Sequence, residues 1–487
     1  MNFSYYPTLG DGVLYAELAQ NLANDFSYSA PISRGVDVVT SIPPVFPIIG
    51  SFLINIFSDP LFSLRFANAI SNGLIFVLIY LICRKMQLNK IYSFTASLLV
   101  MSNPVYSYFT MGPFILTEPT AFLFLLSGFY LYFFSRSKNN LILSAIFFSL
   151  AVMTRYFMLF FIVPILLYQF ILIVKRKNIL RNLSFFMIIF IPLGLWFVRG
   201  LLISGKLLGN IYKVSSDPFS FLSIIKIFPQ HFLIYSILSF LLVTLGLLFF
   251  LIPKIYLELS KILECRMFPK KLKMHFLDDK NCFLFFTIIC GFFYVFIVPV
   301  AMFFTVNYQL SFSPEYVFSR TRYLIITLPF VSILSVCFLK DDLSKSKFIK
   351  KTGFFLFGVI LLFNMAAVSL ISSGYVQDAM GDNCPFKNTL INREYHRSLA
   401  LKMIDSSISG KQVNIFFQEP RGGMRGINLF AEYYLSNNMF SNDTFEYLVT
   451  DEYAFDMMSL PEQCNPYDPN LIFASIDPAS YVFYCGD

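Results

Sequence analysis

Two carboxylates and a few basic residues stand apart from an otherwise apolar chain. Asp11 lies in Gly10-Asp11-Gly12 and Glu118 in Thr117-Glu118-Pro119, each beside the start of a helical pattern. Each has a plain structural explanation. Asp is a favoured N-cap, because its oxygens accept from the first free N–H groups, and an acid in a first helical turn is favoured by the helix dipole. Each also fits chemistry. An ionisable group at the bilayer centre costs about 2.5–3.5 kcal/mol and marks function by default. Two acids at one membrane face would form a polar cleft. Arg155 and Arg322 lie at span ends on the same side, with Arg320, Lys206 and Lys213 nearby in topology. Snorkelling to lipid headgroups explains most such residues. The functional reading is a clamp for a phosphate at the membrane surface, since Arg meets phosphate through two parallel hydrogen bonds.

The elements that position these residues are membrane spans. Of 487 residues, 56% are hydrophobic and 14% charged, with a mean hydropathy of +0.65. Soluble domains carry about 25% charged residues. Apolar runs of roughly 20 residues match a hydrocarbon core about 30 Å thick. The fold class read from this pattern is an α-helical polytopic membrane protein of about ten transmembrane helices, with a small α/β soluble C-terminal domain. Spans are expected near 62–83, 89–109, 115–135, 141–156, 158–174, 182–203, 229–253, 282–306, 322–339 and 352–374. A short break around Thr154, Arg155 and Tyr156 separates the fourth from the fifth.

The net charge of +8 does not point to nucleic acid. Basic residues crowd alternate connectors, from Arg84 and Lys85 to the run between Lys340 and Lys351, twenty-one against six in the others. By the positive-inside rule the crowded connectors are cytoplasmic. The expected localisation is the inner (plasma) membrane, multi-pass. Residues 1–61 form an outer loop region, 62–374 the transmembrane helical domain, and 375–487 a soluble α/β domain on the periplasmic or extracellular side. An outer start at Met1 implies either a helix preceding this chain or a first span inserted N-terminus out, and the former is expected.

Val13, Leu14, Leu18 and Leu22 follow the spacing of a short amphipathic helix suited to a membrane surface. Residues 42–57, opening Ile-Pro-Pro-Val-Phe-Pro, are too short to span and read as an interfacial or re-entrant helix. Beyond 375, strands are expected at Val413–Phe417, Phe445–Val449 and Leu471–Ile476, a turn at Gly422–Gly426 and a helix at Leu429–Leu435. Cys83, Cys265, Cys282, Cys290 and Cys337 fall where thiols stay reduced. Cys384, Cys464 and Cys485 fall outside, where one disulfide could form, Cys464–Cys485 being the favoured pair. The three histidines, His231, His275 and His396, are scattered without metal-ligand spacing. No Walker loop, Rossmann glycine pattern or nucleophile elbow is present.

Taken in order, several short motifs resemble the GT-C-fold glycosyltransferases, most closely the bacterial relatives of protein O-mannosyltransferases and of the lipid A aminoarabinose transferase. They are Asp11-x-x-x-Tyr15, Leu18-Ala19, Pro43-Pro44-Val45-Phe46-Pro47, Leu64-Arg65-Phe66, Glu118-Pro119, Thr154-Arg155, Arg322-Tyr323 with Pro329, and Ala431-Glu432-Tyr433-Tyr434-Leu435. Gly12 departs from the pattern, standing where many members carry a second acid.

The resemblance implies a sugar donor on polyprenyl phosphate, a hexose or pentose, and a glycan, lipid or protein acceptor. Asp11 would act as base toward the acceptor hydroxyl, and transfer would invert the anomeric carbon. Glu118 would orient the acceptor or, with Asp11, help hold a divalent cation. Arg155, Arg322, Arg320, Lys206 and Lys213 would meet the donor phosphate, and Tyr15 would contact substrate. The competing readings are a lipid-linked glycan transporter or flippase, a polysaccharide polymerase or ligase, and a non-enzymatic scaffold.

Overall fold

The structure, a computed structural model, describes residues 11–30, 38–103, 106, 107, 110, 115–134, 138–205, part of 283–291, 325–343, 358, 362 and five short strands beyond 413. Among the described residues, eight α-helices run from the N-terminal side: α1 Asp11–Asp25, α2 Val45–Phe57, α3 Pro60–Lys85, α4 Lys90–Met101, α5 Glu118–Phe134, α6 Lys138–Thr154, α7 Met158–Val174 and α8 Ile179–Ser204. A 3-10 turn, Ile325–Thr327, leads into α9, Leu328–Leu343.

Local chemistry sets the boundaries. Asp59 caps α3, its Oδ1 accepting from the N–H of Leu61 at 2.8 Å and of Phe62 at 3.0 Å. Pro60 follows at the first helical position, where a missing N–H costs nothing, and Arg84 and Lys85 close the helix against its negative end. Asn89 caps α4 through the N–H of Tyr92. Among the described residues, α3 and α8 are each long and apolar enough to cross a membrane alone. α5, α6 and α7 have 17 residues each, so they are apolar helices about 26 Å long, shorter than a hydrocarbon core about 30 Å thick. The break expected around residues 154–156 is a tight turn in which the Met158 N–H bonds to the Arg155 carbonyl at 3.0 Å.

The span expected over 89–109 is interrupted. α4 stops at Met101, and Asn103 caps a fresh turn by accepting from the N–H of Tyr106 at 3.0 Å. The physical reason is in the sequence: Asn103 precedes Pro104, and the residue before a proline is pushed out of the helical region.

Phenylalanine builds the core. The Phe129 ring on α5 meets Phe148 of α6 at 5.6 Å, Phe161 of α7 at 5.8 Å and Phe330 of α9 at 5.0 Å. The first two pairs are edge-to-face and the third is tilted, and aromatic packing of this kind holds helices together where lipid removes the ordinary hydrophobic drive. The opposite surface of α8 displays Leu180, Leu195 and Leu202, as a lipid-facing helix does.

The N-terminal helices form a second cluster. α1 does not merely rest one face on lipid: Leu14, Tyr15, Ala16, Glu17, Leu18 and Ala19 are all enclosed by protein, and α1 packs on α2 and α3. The closest approach is at Gly50 on α2. A Cβ there would stand 2.5 Å from Leu64 Cδ2 and 2.9 Å from the Ala19 Cβ.

The strands form one mixed sheet in the order β2-β1-β3-β5-β4, built from Asn414–Phe417 (β1), Met439–Phe440 (β2), Tyr447–Asp451 (β3), Asn470–Ala474 (β4) and Ser480–Tyr484 (β5). β1 runs parallel to β2 and β3, while β5 is antiparallel to β3 and β4. Three strands lie within a few residues of expectation, and β2 and β5 were not anticipated. The Gly422–Gly426 turn, the Leu429–Leu435 helix and the Cys464–Cys485 pairing lie outside the described residues, as do the expected spans at 229–253 and, for the most part, at 282–306 and 352–374. Cys83, Cys290 and Cys337 are buried and form no disulfide.

Gly50→Ala should overpack the α1–α2–α3 junction and cost about 1–3 kcal/mol. The check is a thermal melt of the detergent-purified chain: a lowered midpoint, partly restored by Leu64→Val in the same chain, is expected, and an unchanged midpoint contradicts this packing.

Candidate functional site

Glu118 occupies the first turn of α5 and Arg155 the turn after α6. Two antiparallel helices of equal length joined by a short connector bring those two ends together. Arg155 Nη2 lies 3.1 Å from Glu118 Oε1, and the side chains are 10% and 1% exposed. Arg155 Nη1 donates to Thr117 Oγ1 at 3.0 Å. The guanidinium thus clasps the start of α5 with two of its nitrogens. Arg155, expected as a phosphate clamp, is engaged inside the protein, and Glu118 is its partner.

A polar ribbon on α3 faces this start of α5. Ser71 Oγ and Thr120 Oγ1 are 3.0 Å apart. Asn72 Oδ1 accepts from the Tyr106 hydroxyl at 2.8 Å, and Asn72 Nδ2 donates to the Thr110 carbonyl at 3.3 Å. One turn above, the Asn68 amide is buried with neither polar atom hydrogen-bonded. Arg65 on α3 and Glu17 on α1 are buried charges in the same N-terminal half.

The motif residues of the N-terminal region meet as well. Tyr15 packs edge-on against Phe46, ring centroids 5.5 Å apart, so Asp11-x-x-x-Tyr15 and the Pro43–Pro47 segment form one unit. Ile115, three residues before Glu118, is buried in the same cluster as Tyr15 and Phe46. Asp11 opens α1, one helical turn before Tyr15. The unit and the Glu118–Arg155 pair therefore share one end of the bundle. Tyr28 anchors the connector between α1 and α2 by donating to the carbonyls of Ile42 and Pro43 at 3.2 Å each. Burial raises the Tyr28 phenol pKa well above its usual value, neighbouring Tyr156 and Tyr15 add to the rise, and Arg199 opposes it.

Arg320, Arg322, Lys206 and Lys213 lie outside the described residues. The sequence reading missed Glu17, Arg65 as a buried charge, and Arg199. The first interrupts the run Leu14-Tyr15-Ala16-Glu17-Leu18-Ala19, a signal that an acid enters an apolar interface. The last falls inside the 182–203 span, where a lone charge in an apolar run was the available sign.

The divalent cation expected of Asp11 or Glu118 does not fit Glu118 as placed. Its Oε1 faces a guanidinium at 3.1 Å, and a cation in that space would sit against a positive charge. Among the described residues, no three His, Cys, Asp or Glu side chains cluster as metal ligands.

Residues 41–196 match the family described as Dolichyl-phosphate-mannose-protein mannosyltransferase. The crystal structure of ArnT from Cupriavidus metallidurans in the apo state superposes with a TM-score of 0.51 at 12% identity, covering 99% of this chain and 94% of that one. The same protein bound to undecaprenyl phosphate gives 0.50 at 12% identity, covering 99% and 95%. The Archaeoglobus fulgidus oligosaccharyltransferase, in a complex with Zn and sulfate, gives 0.51 at 13% identity, covering 92% of this chain. This chain spans 64% of that protein's length. Sequence comparison with curated proteins found no match. The chain has the GT-C fold, and the resemblance read from its motifs stands.

A buried ion pair resists loss of one partner more than loss of both. Glu118→Gln or Arg155→Gln alone should cost about 3–5 kcal/mol, by leaving the other charge buried and uncompensated. The double substitution should cost less than the sum of the two. Additive losses of thermal stability across the cycle would show that the two charges are not coupled.

Proposed function

We propose that the chain is a membrane glycosyltransferase that moves a sugar from a polyprenyl-phosphate carrier to an acceptor hydroxyl. The observation that carries this reading is the convergence, at one end of the bundle, of the α1–α2 motif unit with the Glu118–Arg155 pair. The GT-C fold and the family similarity over residues 41–196 support it, as does the lipid phosphate bound by the Cupriavidus relative.

The chemistry is a single displacement. Asp11, at the start of α1, takes the proton from the acceptor hydroxyl as its oxygen attacks the anomeric carbon. The new carbon–oxygen bond forms as the bond from that carbon to the phosphate oxygen breaks. The polyprenyl phosphate leaves with the electron pair, and the anomeric configuration inverts. Lipid phosphate is already a competent leaving group, so the protein's task is to hold the reactants and stabilise the developing charge. Arg155 holds Glu118 in place, and Glu118 orients the acceptor. The stabilising cations are drawn from Arg322, Arg320, Lys206 and Lys213, with Tyr15 lining the donor side. The distribution of basic residues among the connectors supports an outer-face position for this end of the bundle and for the region 375–487. A hexose or a pentose would suit this chemistry equally.

The test uses the full chain in nanodiscs with a radiolabelled polyprenyl-phosphate sugar and a cell-envelope extract as acceptor. The wild type should release lipid phosphate with time. Asp11→Asn should slow release about 100-fold or more, as expected for loss of a general base, with an unchanged melting midpoint. Wild-type rates in the folded Asp11→Asn chain would remove Asp11 as base, and an intact donor with wild-type chain would remove the enzymatic reading.

A further inference from the structure

Arg199 lies five residues before the end of α8, whose 26 residues make a helix about 39 Å long. It therefore sits about one turn and a half inside that end, at the edge of a hydrocarbon core about 30 Å thick. Its guanidinium is fixed in place. The Cζ atom lies 4.7 Å from the Trp196 ring centroid and 5.8 Å from that of Tyr28, whose ring stands edge-on to Trp196 at 5.4 Å. One N–H is used, Nη1 donating to the Val39 carbonyl at 2.9 Å. A guanidinium has five N–H donors. Among the described residues, no acid pairs with Arg199. The Trp196 Nε1–H, a donor with no acceptor capacity, is also buried without a partner. Stacked, half-buried and unpaired donors of this kind call for an oxygen-rich anion.

Two further features narrow the ligand. Phe197, two residues away, meets the Tyr156 ring at 5.4 Å, and Tyr156 adjoins Arg155 of the Glu118 pair. Arg199 is thus at the same end as the candidate site. Flanking it on the same strip of α8, at the i−4 and i+3 positions, Leu195 on the deeper side and Leu202 toward the helix end are 66% and 80% exposed, a surface for an acyl or prenyl chain. A free phosphate would use the guanidinium alone, whereas a prenyl phosphate would use both.

We propose that Arg199, held over Trp196 and Tyr28, seats the phosphate of a prenyl-phosphate lipid whose chain runs along the exposed strip of α8. This rests on the glycosyltransferase reading and supplies it with a phosphate-binding group besides Arg155, whose guanidinium already meets Glu118 and Thr117. A residue that only snorkels to headgroups has no need of a ring platform or of a backbone carbonyl 160 residues away.

Trp196 is the single tryptophan of the chain, so its emission reports on this site. Full-length chain in phosphatidylcholine nanodiscs is titrated with undecaprenyl phosphate, undecaprenol, inorganic phosphate and phosphatidylglycerol. A saturable change with undecaprenyl phosphate is expected, tenfold or more tighter than with undecaprenol or inorganic phosphate. Arg199→Gln should weaken it at least tenfold. Arg199→Lys keeps the charge and loses the planar stack, and serves if the Gln variant does not fold; about threefold weakening with phosphate still preferred over alcohol is expected. Binding unchanged in either folded variant overturns the proposal. So does equal competition by phosphatidylglycerol, which marks a general anionic-lipid contact, or by inorganic phosphate, which marks a free-phosphate site. The two readings separate in the transfer assay. A wild-type chain that binds lipid phosphate at Trp196 yet transfers no sugar leaves the site and removes the enzyme. Transfer by Arg199→Gln with an unchanged KM does the reverse.

Discussion

The contact between Glu118 and Arg155 is the constraint around which the described bundle is arranged. Taking either charge out of water costs several kcal/mol, and only a close partner with further hydrogen bonds offsets that loss. The pair obtains this from the geometry of a helical hairpin. α5 begins and α6 ends at one level, and the turn at residues 155–157 lets the guanidinium reach back over Thr117. The aromatic stack about Phe129 fixes the two helices against each other farther down. Were that packing to slip by a turn, two buried charges would be separated.

The N-terminal helices extend the same logic. α1 and α2 are too short to span, and they stay at the bundle end because Gly50 lets them approach α3 and because Tyr15, Phe46 and Ile115 share a core. The Tyr28–Trp196–Arg199 group ties their connector to α8. Polar chemistry thereby collects at one end, while the opposite faces of α3 and α8 remain apolar toward lipid.

Much of this was legible in the sequence. The spans at 62–83, 158–174 and 182–203 fall within a few residues of α3, α7 and α8, because caps such as Asp59-Pro60 and flanking basic residues mark helix ends locally. Glu118 and Arg155 were singled out separately, but not as partners, since a clasp between distant residues depends on which helices pack. The short connector between two equal helices held that information in outline. The break after Met101 was missed because hydropathy continues through Pro104 while the backbone does not. Arg199 was hidden because its neighbours in sequence are apolar, although its partners Tyr28 and Val39 are far away along the chain. β5 carries the Tyr-Val-Phe-Tyr pattern of a strand, yet its place in the sheet comes only from pairing with β3. The turn and helix expected between β1 and β3 rest on the sequence alone.

Substrate is proposed to bind where the buried ion pair and the N-terminal motif unit converge. A cryo-EM reconstruction of the full chain in nanodiscs with a non-hydrolysable polyprenyl-phosphate sugar addresses it directly. Headgroup density is expected beside the first turns of α1 and α5, with the Glu118–Arg155 contact intact beneath it. Density at the opposite end, near Arg84 and Lys85, would contradict it.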